Sequence, residues 1–249
     1  MLSQNFLTDR NFILKEVGYA ELKPEDTVLE IGTGSGNLTG ELVKKCAVVG
    51  IEFDPVLAEV CKSKFKDNFT LLQGDALKID FPHFTKIVSN IPYHISAPLT
   101  FKILGHGFEL AVLVYQKEFA DKMAAGVGDS NYGRLSVTVQ TKAEVELLDV
   151  VPKSAFSPVP KVDSRIVRLK PKRQKVPPLF DATVRALFQH RQQSVRNALK
   201  HSAHEIGFIP KTTLPDKKVF ELSIPEIITL SEQLWNEKES GGESTQSSR

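Results

Sequence analysis

The sequence predicts an α/β fold, an open sheet of βαβ units followed by a small helical C-terminal domain, and three observations predict it. Short apolar runs alternate with helical patterns through the first half of the chain. Acids and an amide, Glu30, Glu52, Asp75 and Asn90, recur at the ends of four successive runs. After Pro171 the strand-like runs stop and helical periodicity takes over. A chain of 249 residues that is 41% hydrophobic can hold one large domain and a small one.

In order, Gln4-Asn5-Phe6-Leu7 forms a polar-aromatic arm, and Thr8 or Asp9 caps a helix reaching Tyr19 with Phe12, Ile13 and Val17 at helical spacing. From the residues alone, Gln4 and Asn5 read as a solvated terminus. The run Thr27–Ile31 lies between the Pro24-Glu25-Asp26 turn and Gly32-Thr33-Gly34-Ser35-Gly36, with a helical pattern from Leu38 to Lys45. This is strand, glycine loop, helix, and the glycines let the backbone pass close to a ligand. GxGxG is a weak signal by itself, because dinucleotide enzymes carry a similar loop. Glu30 just before it would repel a pyrophosphate and attract an ammonium, so a cationic ligand is favoured.

The second run, Ala47–Ile51, ends in Glu52-Phe53-Asp54-Pro55, about 20 residues past the glycines, where a carboxylate can accept both hydroxyls of a ribose. The third, Phe69–Leu72, ends in Gln73-Gly74-Asp75-Ala76. The fourth, Lys86–Ser89, runs into Asn90-Ile91-Pro92-Tyr93, and Ala97-Pro98 adds a further turn signal. Asn90 brings an amide acceptor and donor, Pro92 a fixed φ, and Tyr93 a π face with a polar tip. These are tools for holding a flat base.

Leu110–Tyr115 is a fifth strand, followed by a helix to Ala125, the loop Gly126–Asn131 and a helix opened by Tyr132-Gly133-Arg134-Leu135. Val145–Val151 and Ser164–Leu169 read as an antiparallel pair around the stiff loop Phe156–Asp163. Phe156 is either core filler or a second aromatic plate facing Tyr93. Lys172–Pro178 is a linker; Asp181 caps a long helix that runs to Leu199, and Ile224–Trp235 closes the fold. The expected boundaries are residues 1–171 for the first domain, 172–236 for the helical one, and a disordered Gly/Ser/Glu-rich tail at 237–249.

Charge points to the partner. Lys170–Lys218 holds 11 Lys/Arg against 3 Asp/Glu, while the whole chain carries only +2. Such a block favours a nucleic acid, with Arg185, Arg196 and Lys200 as its candidate contacts on one helical face. Cys46 and Cys61 lack CxxC spacing and a nearby His, which argues against a zinc site or a disulfide. Neither a membrane-length apolar window nor a secretory h-region is present, so the expectation is a cytosolic, metal-free protein, monomeric by default.

Taken together, QNFL, EIGTGSGNLT, GIEFD, GDAL, NIPYHIS, YGRLSV, FSPVPKVDS and FQHRQQSVRNALK resemble the ribosomal RNA adenine dimethyltransferases of the small-subunit type, over residues from about Gln4 to Leu199. The resemblance implies a Rossmann-like S-adenosylmethionine-dependent methyltransferase sheet with a small helical C-terminal domain. It implies dimethylation of the adenosine N6 amine in small-subunit rRNA within an immature ribosomal particle, with S-adenosylmethionine as cofactor. Carried onto this sequence, the cofactor set is Asn5, Leu7, Gly32, Glu52, Asp75 and Asn90, with Glu30, Gly34, Phe53 and Ala76 beside them. Asn90, Pro92, Tyr93 and Phe156 are the candidate catalytic residues: the Asn90 side-chain oxygen and the Pro92 carbonyl to hold the amino hydrogens, Tyr93 and Phe156 to stack on the base. Two alternatives stay open, a large-subunit rRNA dimethyltransferase and a small-subunit assembly factor in which binding outweighs methylation.

Overall fold

The computed structural model describes residues 5–243. Gln4 of the expected arm therefore lies outside the described residues. Two compact units are present, one of residues 1–124 with 143–172, the other of residues 125–142 with 173–249.

The first unit opens with β1 (Phe6–Leu7) and α1 (Arg10–Tyr19), which is capped by the Asp9 carboxylate accepting from Asn11 N. Then follow β2 (Thr27–Ile31), α2 (Thr39–Leu42), β3 (Ala47–Glu52), α3 (Pro55–Lys64), β4 (Phe69–Gln73) and β5 (Lys86–Asn90). A single turn of 3₁₀ helix, Tyr93–Ile95, leads into α4 (Ser96–Leu104), then β6 (Leu110–Gln116) and α5 (Lys117–Ala124). Pro98, read from sequence as a turn signal, sits in the first turn of α4, where a missing amide hydrogen costs nothing. The unit closes with β7 (Ala143–Val151), β8 (Phe156–Ser157) and β9 (Ser164–Pro171).

Seven strands form one sheet in the order β4-β3-β2-β5-β6-β9-β7. The first five of these are parallel, while β9 runs antiparallel to both β6 and β7. The expected pairing of the last two long strands is thus present. Chain order reverses at β2, whose neighbours are β3 and β5, so the carboxyl ends of β3, β2 and β5 border a topological switch point, where open α/β sheets bind ligands. Strands β2, β5 and β6 are buried along almost their full length, as strands covered on both faces must be.

The second unit holds α6 (Arg134–Lys142), α7 (Phe180–Phe188), α8 (Val195–His201), α9 (Ala203–Ile206) and α10 (Ile224–Glu243). Residues 125–142 belong here rather than to the first domain. Tyr132 and Val137 are buried among Phe180, Leu187, Leu199 and Ile227, and the Tyr132 hydroxyl donates to Leu222 O at 2.9 Å. The single long helix expected from Asp181 is two. Leu179 and not Asp181 precedes α7, and Ser194 caps α8 by accepting from Asn197 N, while Val195 N and Val219 N bond across to Lys217 O and Gln193 O. The expected disorder also begins too early: α10 continues through Glu237, which accepts from Lys211 N and Thr212 N, to Glu243. Residues 244–249 of that tail lie outside the described residues.

Among the described residues no helix is long and apolar enough to cross a membrane, and no cluster of His, Cys, Asp or Glu could hold a metal ion.

Candidate active site

The site is assembled from loops at the carboxyl ends of β2 to β5, all within the first unit. Gly32, Gly34 and Gly36 have φ of 77°, 53° and 79°, a left-handed run that side chains resist. Gly34 is held on three sides. Its N–H donates to Glu52 Oε2 at 2.8 Å, its carbonyl accepts from Cys61 Sγ at 3.3 Å, and a Cβ there would lie 2.7 Å from the Phe6 ring.

That ring belongs to the N-terminal arm, which is anchored rather than solvated. Phe6 and Leu7 pair antiparallel with Ser157 and Phe156, Thr8 N and Asp9 N donate to Ala155 O, and Asn37 Nδ2 donates to Leu7 O at 2.9 Å. Asn5 directly precedes the small sheet made by the arm and the Phe156 loop.

Glu52 is buried at the end of β3, with Oε2 on Gly34 N and Oε1 on Asp54 N at 2.9 Å. Each oxygen keeps a further lone pair for a hydroxyl donor. Phe53 beside it is 59% exposed. Asp75 accepts from Leu77 N through Oδ1 at 2.9 Å, and its Oδ2 lies 3.8 Å from Lys78 Nζ. Ala76 follows it, buried.

Glu30 is placed otherwise than the sequence suggested. It is sealed within the unit at 1% exposure, accepts from Thr39 Oγ1 at 2.7 Å, and faces inward, where an external ammonium does not reach. Burial, with a smaller push from Glu52 and against the Thr39 bond, raises its carboxyl to about 8. Glu16, wholly buried and without a hydrogen-bond partner among the described residues, is also raised, by burial first and Glu30 second. A folded-state value above the unfolded one means that the native protein binds the extra proton, so this contribution weakens stability as pH rises from about 4.5 to about 8. Glu30→Gln keeps an acceptor for Thr39 and should flatten that decline, by at most about 1.4 kcal/mol per pH unit, in denaturant titrations between pH 5 and 8.

Asn90 ends β5, and its Oδ1 is enclosed yet accepts no hydrogen bond from any described residue. Enclosed polar atoms are normally paired, so an unsatisfied acceptor here fits an amine brought by a ligand. Pro92 departs from expectation: its carbonyl already accepts from Ile95 N at 3.1 Å, closing the 3₁₀ turn, and from Ser96 Oγ at 3.5 Å. Asn90 thus offers an acceptor with no partner among the described residues, while the Pro92 carbonyl also closes the turn. Tyr93 is half-buried with its hydroxyl 2.6 Å from Ser164 Oγ, the last residue of FSPVPKVDS. No signal in the sequence linked those two.

Ser164 is buried, and its hydroxyl pairs with that of Tyr93. Tyr93→Phe and Ser164→Ala should each lower methyl transfer by about threefold to tenfold, as loss of one neutral hydrogen bond allows. The double variant should be no worse than either single one; additive losses would show that the pair does not act as a unit. Phe156 is not an open plate. It is 3% exposed, in the core cluster with Leu7, Val114 and Ile166, because β8 turns it inward against β1.

The glycine loop without Cβ atoms, the Glu52 and Asp75 carboxylates and the enclosed Asn90 oxygen together fit a nucleoside donor next to a base amine. They lie on consecutive or adjacent strands of one sheet. In the second unit, Arg196 and Lys200 are exposed on α8. Arg185 is not available in the same way, because its Nε donates to Glu205 Oε2 at 2.9 Å and it belongs to the separate helix α7.

Comparison with known proteins shows the family to which the chain belongs. A protein from Thermococcus onnurineus named as a probable ribosomal RNA small subunit methyltransferase A is 48% identical over 240 residues, covering 91% of this chain and 88% of that one. One from Methanothermobacter thermautotrophicus with the same name is 42% identical over 94% and 89% of the two chains. The crystal structure of a dimethyladenosine transferase from Plasmodium falciparum superposes with a TM-score of 0.78 at 33% identity, over 95% of this chain and 98% of that one. The 23S rRNA methyltransferase ErmE is more distant, at 0.68 and 28% over 92% and 99%. The model of the ribosomal RNA adenine dimethylase family matches residues 1–234, and the chain belongs to that family of S-adenosylmethionine-dependent methyltransferases.

Proposed function

We propose that this protein dimethylates the N6 amine of adenosine in small-subunit ribosomal RNA, acting in the cytoplasm as a monomer on an immature ribosomal particle. The observation that carries the chemistry is the enclosed, unpaired Asn90 Oδ1 at the end of β5. S-adenosylmethionine supplies an electrophilic methyl on a sulfonium, so neither a metal nor a strong base is required of the residues. Their work is positioning, which is worth several kcal/mol when the reacting atoms are held in line.

Asn5, Leu7, Gly32 and Gly34 form the near wall of the donor site; Glu52 takes the ribose hydroxyls, and Asp75 with Ala76 takes the adenine. Phe53 lies open beside Glu52, ready to cover the adenine face. Asn90 accepts from an N6 hydrogen of the target base. That favours a pyramidal nitrogen with a localised lone pair and stabilises the positive charge that grows on it. With the donor bound, the N6–carbon bond would form as the sulfur–carbon bond gives way, and the displaced N6 proton would be lost to solvent. Tyr93 stacks on the base, contributing roughly 1–3 kcal/mol toward keeping it out of its own stack. A second round on the same amine completes dimethylation.

Arg196 and Lys200 are the proposed phosphate contacts. Reversing both to Glu should weaken RNA binding and reduce the salt slope of log K by at least roughly 1.4, two phosphates' worth for single-stranded RNA. Arg185→Ala should leave that slope unchanged and act through the loss of its Glu205 pair. An unchanged slope in the double-Glu variant would return α8 to a solvated surface.

The small-subunit assignment is supported by relatives at 42% and 48% identity, against 28% for the large-subunit enzyme ErmE. Offering the enzyme labelled donor with immature small subunits or with naked large-subunit RNA tests it. Label in the small subunit alone is expected; label in the large-subunit RNA alone would overturn it.

A further inference from the structure

The segment between β4 and β5 opens with a tight turn, and the conformation of that turn decides where Asp75 points. Asp75 O accepts from Lys78 N at 2.8 Å and Ile79 N at 2.9 Å, while Oδ1 accepts from Leu77 N, so main chain and side chain together close one helical turn. Gly74 before it has a φ of 154°, and a Cβ there would lie 2.6 Å from the Ile79 side chain. A turn this short leaves its later carbonyls without helical partners.

One side chain satisfies two of them. Lys102 on α4 donates from Nζ to Ala76 O at 2.8 Å and to Ile79 O, and the same ammonium sits 4.3 Å from the centre of the Phe81 ring. Among the described residues no carboxylate pairs with it, so its charge is spent on the turn and the ring. Charge-assisted hydrogen bonds are the stronger kind, and here one cation clamps both ends of the turn. Helix α4 follows Asn90 and Tyr93 directly, so the element that leaves the amine pocket reaches across to hold the loop carrying Asp75 and Ala76.

We infer that Lys102 is a positioning residue for the methyl donor: it touches no substrate, and it locks the Asp75–Ile79 turn so that Asp75 and Ala76 present a fixed edge to the adenine. This rests on the reading of Asp75 and Ala76 as adenine contacts. The consequence is selective. Loss of the clamp loosens the donor site and leaves Asn90, Tyr93 and the RNA contacts in place.

The test is calorimetric binding of S-adenosylhomocysteine to the full chain and to Lys102→Met, Lys102→Arg and Asp75→Ala, with steady-state methyl transfer and amide exchange alongside. Lys102→Met should weaken nucleoside binding about tenfold, the scale of one or two lost charge-assisted bonds, and raise KM for the donor with kcat and KM for RNA within about twofold. The Leu77 and Ile79 amides should exchange faster in that variant, and Lys102→Arg, which keeps a cation with several donors, should recover most of the affinity. If the Met variant does not fold, Lys102→Gln reads the same quantities with a neutral side chain of similar length. Unchanged nucleoside affinity in the neutral variant, with Asp75→Ala weakened, would overturn the Lys102 inference alone. Unchanged affinity in Asp75→Ala would remove the adenine reading on which it stands. A fall in kcat and in both affinities together, with a lowered melting temperature, would make Lys102 merely structural and also overturn it.

Discussion

Asn90→Ala should lower methyl transfer by about a hundredfold or more, the scale seen when one preorganised polar contact to developing charge is removed, while S-adenosylmethionine binding stays within a few fold. The expectation follows from the enclosure of Oδ1: no described residue competes for it, so its hydrogen-bonding capacity is reserved for what enters the pocket. An acceptor that strengthens as the amine becomes positive lowers the barrier more than it lowers the ground state. Single-turnover transfer to RNA, set beside calorimetric donor binding, separates the two quantities. Full activity in the variant would remove Asn90 from the chemistry, and equal losses in binding and transfer would recast it as a donor contact.

Glu52→Gln should weaken donor binding by roughly tenfold to a hundredfold, although it changes the side chain by a single atom. Both carboxylate oxygens accept from backbone N–H groups, Gly34 on one side and Asp54 on the other. A glutamine amide carries one acceptor oxygen and one NH2 group, so either way round it sets a donor against a donor. The site is buried, and an unsatisfied donor there costs about 1–3 kcal/mol before any ribose contact is counted. Because Gly34 N is one of the two, the disturbance passes into the glycine loop. Direct titration of S-adenosylhomocysteine into the variant checks this; affinity within twofold of the parent protein would show that Glu52 neither shapes the loop nor takes the ribose.

Much of this site was legible because its residues end strands. Strand termini are marked by turn residues, and in a parallel sheet the polar residues that come after Ile51, Leu72 and Ser89 (Glu52, Asp75 and Asn90) necessarily reach one edge, whatever the helices do. Local pattern could not give the facing of individual side chains. Glu30 sits in a strand buried on both faces, where alternation carries no information, and it turns inward to Thr39. Phe156 was ambiguous for a related reason: its fate depends on pairing with Leu7, almost 150 residues earlier. The Pro92 carbonyl also closes a local turn that the residues Tyr93-His94-Ile95 do not announce.

The domain boundary failed in another way. Tyr132 and Val137 have apolar spacing suited to either core, and only contact with Phe180 and Leu187 shows which one they join. The helix break at Ser194 was visible in principle, as a good capping residue inside a helical pattern. What hid it is a basic row that reads as continuous in the sequence, and dividing that row is what removes Arg185 from the proposed RNA contacts.

The most direct measurement is transfer of labelled methyl from S-adenosylmethionine to unmethylated small ribosomal subunits, followed by nucleoside digestion and mass analysis, with Asn90→Ala run in parallel. N6,N6-dimethyladenosine with the parent enzyme and none with the variant is the predicted result. No transfer from a parent protein that still binds the donor and the subunit would contradict the account and leave a binding role in assembly.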